Sequence, residues 1–260
     1  MENRYREKWT REETILAFDL YCKVPFSKIS KTNKEIIELA NLLGRTPSSV
    51  GLKMDNLASF DPNLISQNIK GMQHASKLDK EIVEEFFGDW EELSYQAHQI
   101  ISRYKQVDLI SLNPEIEIEK IPEGSNVEKE VKVRVGQTFF RTSVLNSYEN
   151  TCCVTGIKEP ALLIASHIKP WRDSNPKTER TNPHNGLCLN SFHDRAFDKG
   201  FITLDKEYKI IISKRVSEVA MDAQTKDWFY SYENKQIVLP RKMAPWKQFI
   251  EYHNDVIFRG

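Results

Sequence analysis

The segment from residue 161 to residue 200 constrains the fold most, because two short apolar runs there precede a helical run. The runs Ala161–Ala165 and Gly186–Leu189 have the length and composition of buried strands. Ser191–Lys199 is typical of a helix, and Gly200 is placed to end it. This order of strand, loop, strand and helix predicts an α+β fold for the second half of the chain.

Three polar residues stand at the joints of these elements. His167 follows the first strand, Asn185 precedes the second strand, and His193 lies early in the helix. A histidine at a strand end can act as a general base near neutral pH. An asparagine at a turn can fix a neighbouring loop by bonding to its backbone, and a histidine on a helix can bind a divalent metal. The pattern therefore predicts a hydrolytic site.

The stretch from Asn150 to Asp205 resembles the HNH endonuclease family, within the ββα-metal nuclease superfamily. Four motifs carry the resemblance, in the family's order: Cys153–Gly156, Ala165–Trp171, Asn185–Leu189 and His193–Gly200. The resemblance implies a ββα-metal nuclease domain that hydrolyses the phosphodiester bonds of DNA.

The resemblance also implies a role for each joint residue. His167 matches the general base, which takes a proton from the water that attacks phosphorus. Asn185 matches the residue that holds the loop of the base in register. His193 matches the helical ligand of a single divalent ion, usually magnesium with manganese able to substitute. Such an ion acts as a Lewis acid and stabilises transition-state charge.

The sequence departs from the family pattern at two positions. Ser166 stands where many relatives have a metal-binding Asp or His, and Phe197 stands where others have a second helical His. The ion would then depend on His193, water and substrate phosphate, with Asp198 as a weaker candidate. Asp194 and Asp198 are four apart on one helix face and could bind metal together, although a structural role for Asp198 at the helix end is the favoured interpretation.

A structural zinc ion is not expected. Gly156 stands where a Cys-x-x-Cys pair beginning at Cys153 would need its second cysteine. The alternative is a zinc site formed by His184 and Cys188 with Cys152 and Cys153, but adjacent cysteines chelate poorly.

The first hundred residues are predicted to be helical. Thr10 and Glu13 form a capping box, and further helices are predicted over Asn33–Leu43, Pro47–Ser59 and Leu78–Tyr104. The second and third helices are joined by a tight turn in which Gly44 ends one helix, while Thr46 caps the next and Pro47 begins it. This spacing favours a helix-turn-helix or winged-helix-like module.

The helix-turn-helix interpretation gives four candidate DNA-binding residues near the start of the presumed recognition helix. They are Thr46, Ser48, Ser49 and Lys53. The alternative is a helical bundle that serves for dimerisation or docking. The balance of −2 over residues 1–104 (14 basic, 16 acidic) favours that alternative, whereas association with a nuclease favours DNA.

Charge divides the chain into three predicted parts. Residues 1–104 are the helical recognition or sensor domain, residues 105–130 are an acidic linker with a balance of −4, and residues 131–260 are the nuclease domain with a balance of +6. The basic surplus makes the nuclease domain the better candidate for binding a polyanion. Within it, Arg195 and Lys199 are candidate phosphate ligands, with a solvated helix surface as the alternative.

Composition excludes a membrane protein and a disulfide framework. No run approaches the roughly 20 apolar residues of a membrane span, and no secretory signal is legible at the N-terminus. Four cysteines in 260 residues do not form a disulfide scaffold. A cytoplasmic protein is expected.

These features together predict a metal-dependent DNA endonuclease of the restriction type, a class that includes modification-dependent enzymes. One site per chain would favour a homodimer for double-strand cleavage. Two alternatives stay open: a defence nuclease activated by a ligand or partner that residues 1–104 sense, and a catalytically degenerate DNA-binding protein.

Overall fold

The computed structural model describes residues 7–66, 75–112 and 127–260. The chain divides into two compact units, one extending to Ser143 and the other from Val144 to Gly260. The nuclease domain predicted from the sequence begins at residue 131, whereas the second unit begins at Val144. The difference arises because residues 127–143 of a long helix belong to the first unit. Residues 113–126 of the predicted acidic linker lie outside the described residues.

The first unit is helical. Its helices are α1 (Arg11–Lys23), α2 (Lys34–Leu43), α3 (Pro47–Ala58), α4 (Pro62–Ser66), α5 (Lys77–Phe86), α6 (Trp90–Lys105) and most of α7 (Val127–Ser147). Helix α1 packs against α2, α3, α5 and α6 and is therefore the centre of this unit. None of the helices within the described ranges is long and apolar enough to cross a membrane.

The predicted caps are confirmed. The Thr10 side chain accepts a hydrogen bond from the backbone N–H of Glu13, whose carboxylate accepts one from the N–H of Thr10. Gly44 ends α2 with a φ of 66°, and Thr46 caps α3. These local signals set the turn between α2 and α3, whereas DNA recognition by the pair stays a prediction.

The prediction of one helix over Leu78–Tyr104 is wrong. The structure has two helices, α5 and α6, with a break at residues 87–89. Gly88 adopts a φ of 95°, a conformation that only glycine adopts without strain, and the chain turns there.

The second unit is mixed α and β, in agreement with the predicted α+β class. Its elements are β1 (Leu163–His167), β2 (Gly186–Asn190), α8 (Ser191–Asp198), β3 (Ile202–Leu204), β4 (Ile210–Ile212), α9 (Ala223–Tyr230) and α10 (Lys247–Tyr252). Strands β1 and β2 pair antiparallel, as do β3 and β4. Helix α8 packs against β1, β2 and β3.

Strand β1 is displaced by two residues from its predicted position. Pro160–Leu162 forms a 3₁₀ turn, so the strand begins at Leu163 and includes His167 as its last residue. In the β1–β2 register, His167 lies opposite Gly186, the residue after Asn185. The pairing therefore brings the ends of the two predicted motifs together.

A buried ion pair connects α1 to the turn before α3. The guanidinium of Arg45 lies 2.8 Å from the carboxylate of Glu13, and both side chains are fully buried. Arg45 also donates to the carbonyls of Glu7 and Lys8, and it lies 4.4 Å from the ring centroid of Trp9. The Arg45 side chain therefore holds residues 7–9 against α1 and against the turn before α3.

Arg45→Met is expected to lower the free energy of unfolding by about 3–5 kcal/mol, because it leaves the Glu13 carboxylate buried without its partner. Urea unfolding of the whole chain measures this. The matched control is Arg11→Met, which removes an exposed ion pair with Glu85 and should change stability by about 1 kcal/mol or less. Equal losses for the two variants would contradict this assignment.

Candidate active site

His167 is held at the end of β1 by a hydrogen bond that defines its tautomer. Its Nε2 atom lies 2.8 Å from the carbonyl oxygen of Arg180. A carbonyl can only accept, so Nε2 carries the proton in the neutral ring and the lone pair resides on Nδ1. The ring also makes an edge contact with Trp171, at 5.7 Å between centroids. His167 is thus oriented with one nitrogen anchored and the other basic.

Burial lowers the pKa of His167 below its ordinary value of 6.5, and the hydrogen bond to the Arg180 carbonyl offsets part of this effect. The ring is therefore neutral at physiological pH. A neutral imidazole with a basic Nδ1 is the form that can accept a proton from water.

Asn185 is fully buried and binds the backbone that follows His167. Its Oδ1 atom accepts from the N–H of Lys169 at 2.8 Å, and its Nδ2 atom donates to the carbonyl of the same residue at 3.0 Å. Nδ2 also lies 3.3 Å from both Ser174 Oγ and the Glu179 carbonyl. The Asn185 carbonyl accepts from the N–H of Ile168. These contacts are the ones that a positioning role requires.

The loop that carries the Arg180 carbonyl is tied to the same region. The ammonium of Lys169 lies 2.6 Å from the carboxylate of Glu179, and Arg180 Nε donates to the carbonyl of Trp171. The acceptor for His167 is therefore fixed by contacts within the segment that Asn185 holds.

His193 lies on the buried side of α8. Its Nδ1 atom is 3.2 Å from Asn190 Oδ1, and its buried Nε2 atom has no hydrogen-bond partner within the described part of the chain. Aromatic rings surround it, with centroids 5.2–6.2 Å away: Phe192, Trp228, Phe229 and Tyr232. Burial lowers its pKa to about 4. Ligation of a metal through Nε2 would require the ring to leave this apolar cluster.

Asp194, the next residue, faces β1 instead. The Ser166 hydroxyl hydrogen-bonds to its carboxyl group. Burial raises the pKa of Asp194, with a further increase from the neighbouring Asp198 carboxylate. Asp198 lies one turn further along α8 and is half-exposed, with ion pairs to Arg195 and Lys199. Through Ser166, the carboxyl of Asp194 lies beside the strand position that precedes His167.

The helical spacing explains this arrangement. The buried residues of α8 are His193, Ala196 and Phe197, which is the i, i+3, i+4 pattern of a core-facing stripe. Asp194 and Asp198 are the i, i+4 pair on the neighbouring face. The same spacing could have identified His193 as a core residue from the sequence, because Ala196 and Phe197 mark the apolar side.

The residues present suit a hard, oxygen-ligated ion better than zinc. No group of three or more His, Cys, Asp or Glu side chains comes together among residues 7–66, 75–112 and 127–260. Magnesium commonly keeps several waters and binds one or two carboxylates together with substrate phosphates. Asp194, with Asp198 one turn away and Ser166 beside it, offers that kind of sparse oxygen set.

The residues of the alternative zinc site have other contacts. Cys152 Sγ accepts hydrogen bonds from the backbone N–H groups of Thr155 and Asn190. The ring of His184 donates from Nδ1 to the carbonyl of Ala244 and stacks on Trp246 at 4.5 Å. These interactions give Cys152 and His184 structural roles.

The predicted DNA-binding residues are placed differently from one another. Arg195 and Lys199 are exposed on α8, where both contact Asp198. Ser48 is exposed at the start of α3, whereas Thr46 and Ser49 are half-buried and joined by the helix cap. The Lys53 ammonium is buried, 2.6 Å from the Asp79 carboxylate. Contact between Lys53 and DNA would require this ion pair to break.

Comparison with known proteins finds a family match within the second unit. Residues 152–205 match the sequence model of the HNH endonuclease family. The match covers 54 of the 260 residues and includes β1, β2, α8 and β3. No curated protein matches the chain. Residues 152–205 are therefore similar to the HNH endonuclease family, the family that the four motifs resemble.

Asn185→Ala is expected to lower the free energy of unfolding by about 2–5 kcal/mol, because it leaves the N–H group of Lys169 without its acceptor and the Lys169 carbonyl with only the Ser174 hydroxyl as donor. The matched control is Asn175→Ala, which removes an exposed side chain that caps a turn and should lower stability by about 1 kcal/mol. Urea denaturation measures the loss in the free energy of unfolding for both variants. Similar small losses would show that the loop does not depend on Asn185.

Proposed function

We propose that this protein is a metal-dependent endonuclease that hydrolyses phosphodiester bonds of DNA, with His167 as the general base. One observation carries the proposal. Within the segment that matches the HNH family, the hydrogen bond from Nε2 to the Arg180 carbonyl leaves the lone pair of His167 on Nδ1. This is the protonation state that a base at a strand end needs.

In the proposed reaction, Nδ1 of His167 takes a proton from the water that attacks the phosphorus atom. The bond from phosphorus to the 3′-oxygen breaks, which leaves a 5′-phosphate and a 3′-oxyanion that takes a proton from solvent water to become the 3′-hydroxyl. The Nε2–H bond to the Arg180 carbonyl holds the ring in place and stabilises the imidazolium that forms. Asn185 contributes by fixing the Ile168–Lys169 backbone, so that the base keeps its position as it gains charge.

Asp194, with Asp198 one turn away, is proposed to hold the divalent ion. This proposal differs from the predicted ligand His193. It is supported by the Asp194 carboxyl beside Ser166 and by the aromatic side chains that enclose the His193 ring. When bound, magnesium or manganese would supply Lewis-acid stabilisation of negative charge on the phosphate. Asp194 is a carboxylate ligand of the type that these ions prefer.

A restriction-type role, including dependence on modified bases, is the biological role we favour for a helical module joined to an HNH domain. A second role, activation by a ligand or partner that the helical unit senses, is favoured by one observation. The only basic side chain among the predicted contacts on α3, Lys53, is buried against Asp79. A helix that reads DNA normally presents exposed cations to phosphates.

Plasmid cleavage in magnesium or manganese tests the nuclease directly. His167→Ala is expected to lower the rate about 10²–10⁴-fold, because the reaction loses its general base. The matched control is His98→Gln, which alters a histidine of the first unit and should cleave at the wild-type rate. Unmodified, methylated and hydroxymethylated plasmids are compared in parallel.

Each result of this assay has a definite meaning. Preference for one modified plasmid would support the restriction-type role. Cleavage that persists in His167→Ala would contradict the assignment of the base. No cleavage of any plasmid by folded wild-type protein would favour the ligand-activated role or the degenerate binder.

The pH dependence of kcat/KM tests whether a neutral His167 side chain with a lowered pKa is the general base. Because burial lowers the pKa of His167, the ring stays neutral on mild acidification and activity should fall only below pH 6.5. Rates measured between about pH 5 and 8 at fixed magnesium should therefore give an acid limb with a midpoint below 6.5. A midpoint above 6.5 would contradict a buried imidazole as the base.

A further inference from the structure

An apolar groove of about 330 Å³ lies beside α8. Its walls come from α8, the 3₁₀ turn Lys214–Glu218, the segment that follows this turn, and α9. The apolar side chains that line it include Phe192, Ala196, Val219 and Phe229. Its volume is at the lower end of the roughly 300–1,000 Å³ typical of sites for small molecules.

One aromatic side chain that lines this groove remains open to solvent, and a second lies against it. Phe192 is 49% exposed, and Trp228, whose ring lies 5.4 Å from that of Phe192, is 40% exposed. The Phe192 ring is held by an edge contact with Phe229 at 5.6 Å. A fixed, solvent-exposed aromatic ring on a folded domain is a suitable surface for another planar ring.

The charged residues that line the groove are both basic. Arg195 on α8 and Lys199, the residue that ends this helix, lie one turn apart, with 71% and 46% of their side chains exposed. The Arg195 guanidinium has five N–H donors, and the contact with Asp198 at 3.4 Å uses one of its nitrogens. An apolar groove with a basic rim complements a planar aromatic group that is joined to an anion.

The same helix carries the proposed metal ligand. Asp194 is two residues from Phe192, a rise of about 3 Å along the helix axis. Their side chains are offset by about 200° around the axis, and Arg195, which lines the groove and contacts Asp198, lies between the groove and the two carboxylates. Since the proposed substrate is a polyanion whose bases are planar, the nucleotides next to the cleaved bond are the natural occupant.

We propose that this groove binds one unpaired base of the DNA substrate, with the base stacked on Phe192 and the adjacent phosphates bound by Arg195 and Lys199. The inference rests on the proposed nuclease function and adds a substrate preference to it. A paired base keeps both faces within the duplex stack, so only a single-stranded, mismatched or extruded base can enter. The apolar lining offers stacking and little base-edge hydrogen bonding, so binding should tolerate many sequences.

The test measures DNA binding by the full chain carrying His167→Ala, in EDTA, so that no strand is cut. The probes are a fluorescein-labelled oligothymidine of about 12 nucleotides, a length within the range of single-strand sites, and a duplex of the same length. Phe192→Leu keeps an apolar side chain but removes the ring, and it should weaken single-strand binding about tenfold while leaving duplex binding nearly unchanged.

Three further variants separate stacking from charge and folding. Phe192→Tyr keeps the ring and should bind the single strand as the parent does. Val238→Ala alters an exposed apolar residue of the same unit outside the groove and should have no effect. Arg195→Gln should lower the slope of log affinity against log salt by about 1, whereas Phe192→Leu should leave that slope unchanged.

Several outcomes would overturn the proposal. One is equal single-strand affinity for Phe192→Leu and Val238→Ala, and another is an equal loss for single-strand and duplex probes. A concentration-dependent dimer that Phe192→Leu abolishes, with DNA binding unaffected, would assign the groove to a second copy of the chain. Because binding is measured without cleavage, a failure of the nuclease assay does not produce any of these results.

Discussion

The side-chain amide of Asn185 fixes the backbone that follows His167, and the candidate active site depends on this contact. Antiparallel pairing of β1 and β2 brings Gly186 opposite His167, so the asparagine just before β2 reaches the loop just after β1. Its amide then satisfies both backbone groups of Lys169 in a fully buried position. A buried amide with two such partners allows one loop conformation, because any other would leave polar groups without hydrogen bonds.

Helix α8 presents three chemically different faces, one apolar and buried, one acidic and one basic. One face packs His193, Ala196 and Phe197 into the interior, and the next presents Asp194 and Asp198. The third presents Arg195 and Lys199 beside the apolar groove. The two neighbouring residues that could ligate a metal have different environments. The His193 ring is desolvated among aromatic rings, whereas the carboxyl of Asp194 accepts a hydrogen bond from the hydroxyl of Ser166.

Local signals in the sequence predicted much of the fold. The caps at Thr10 and Thr46, the glycine that ends α2, and the order of β1, β2 and α8 follow from short-range chemistry, and the structure has them. The single helix predicted over Leu78–Tyr104 failed because the helical pattern on both sides of Gly88 concealed a turn. Motif order alone identified the HNH domain, since it needs no knowledge of tertiary contacts.

What sequence reasoning did not provide was the environment of individual side chains. The ion pair between Lys53 and Asp79 joins residues 26 positions apart, and three of the four rings around His193 come from α9 and the turn after it. Such partners are set by tertiary packing, and a motif cannot reveal them. The position of Asp194 against Ser166 likewise depends on how α8 packs against β1.

The central proposal is that Asp194, and not His193, holds the metal. Crystals of the full chain soaked in manganese would test it most directly, through an anomalous difference map. The account predicts a peak bonded to a carboxylate oxygen of Asp194, next to Ser166. A peak bonded to Nε2 of His193, with its ring turned out of the aromatic cluster, would contradict the account.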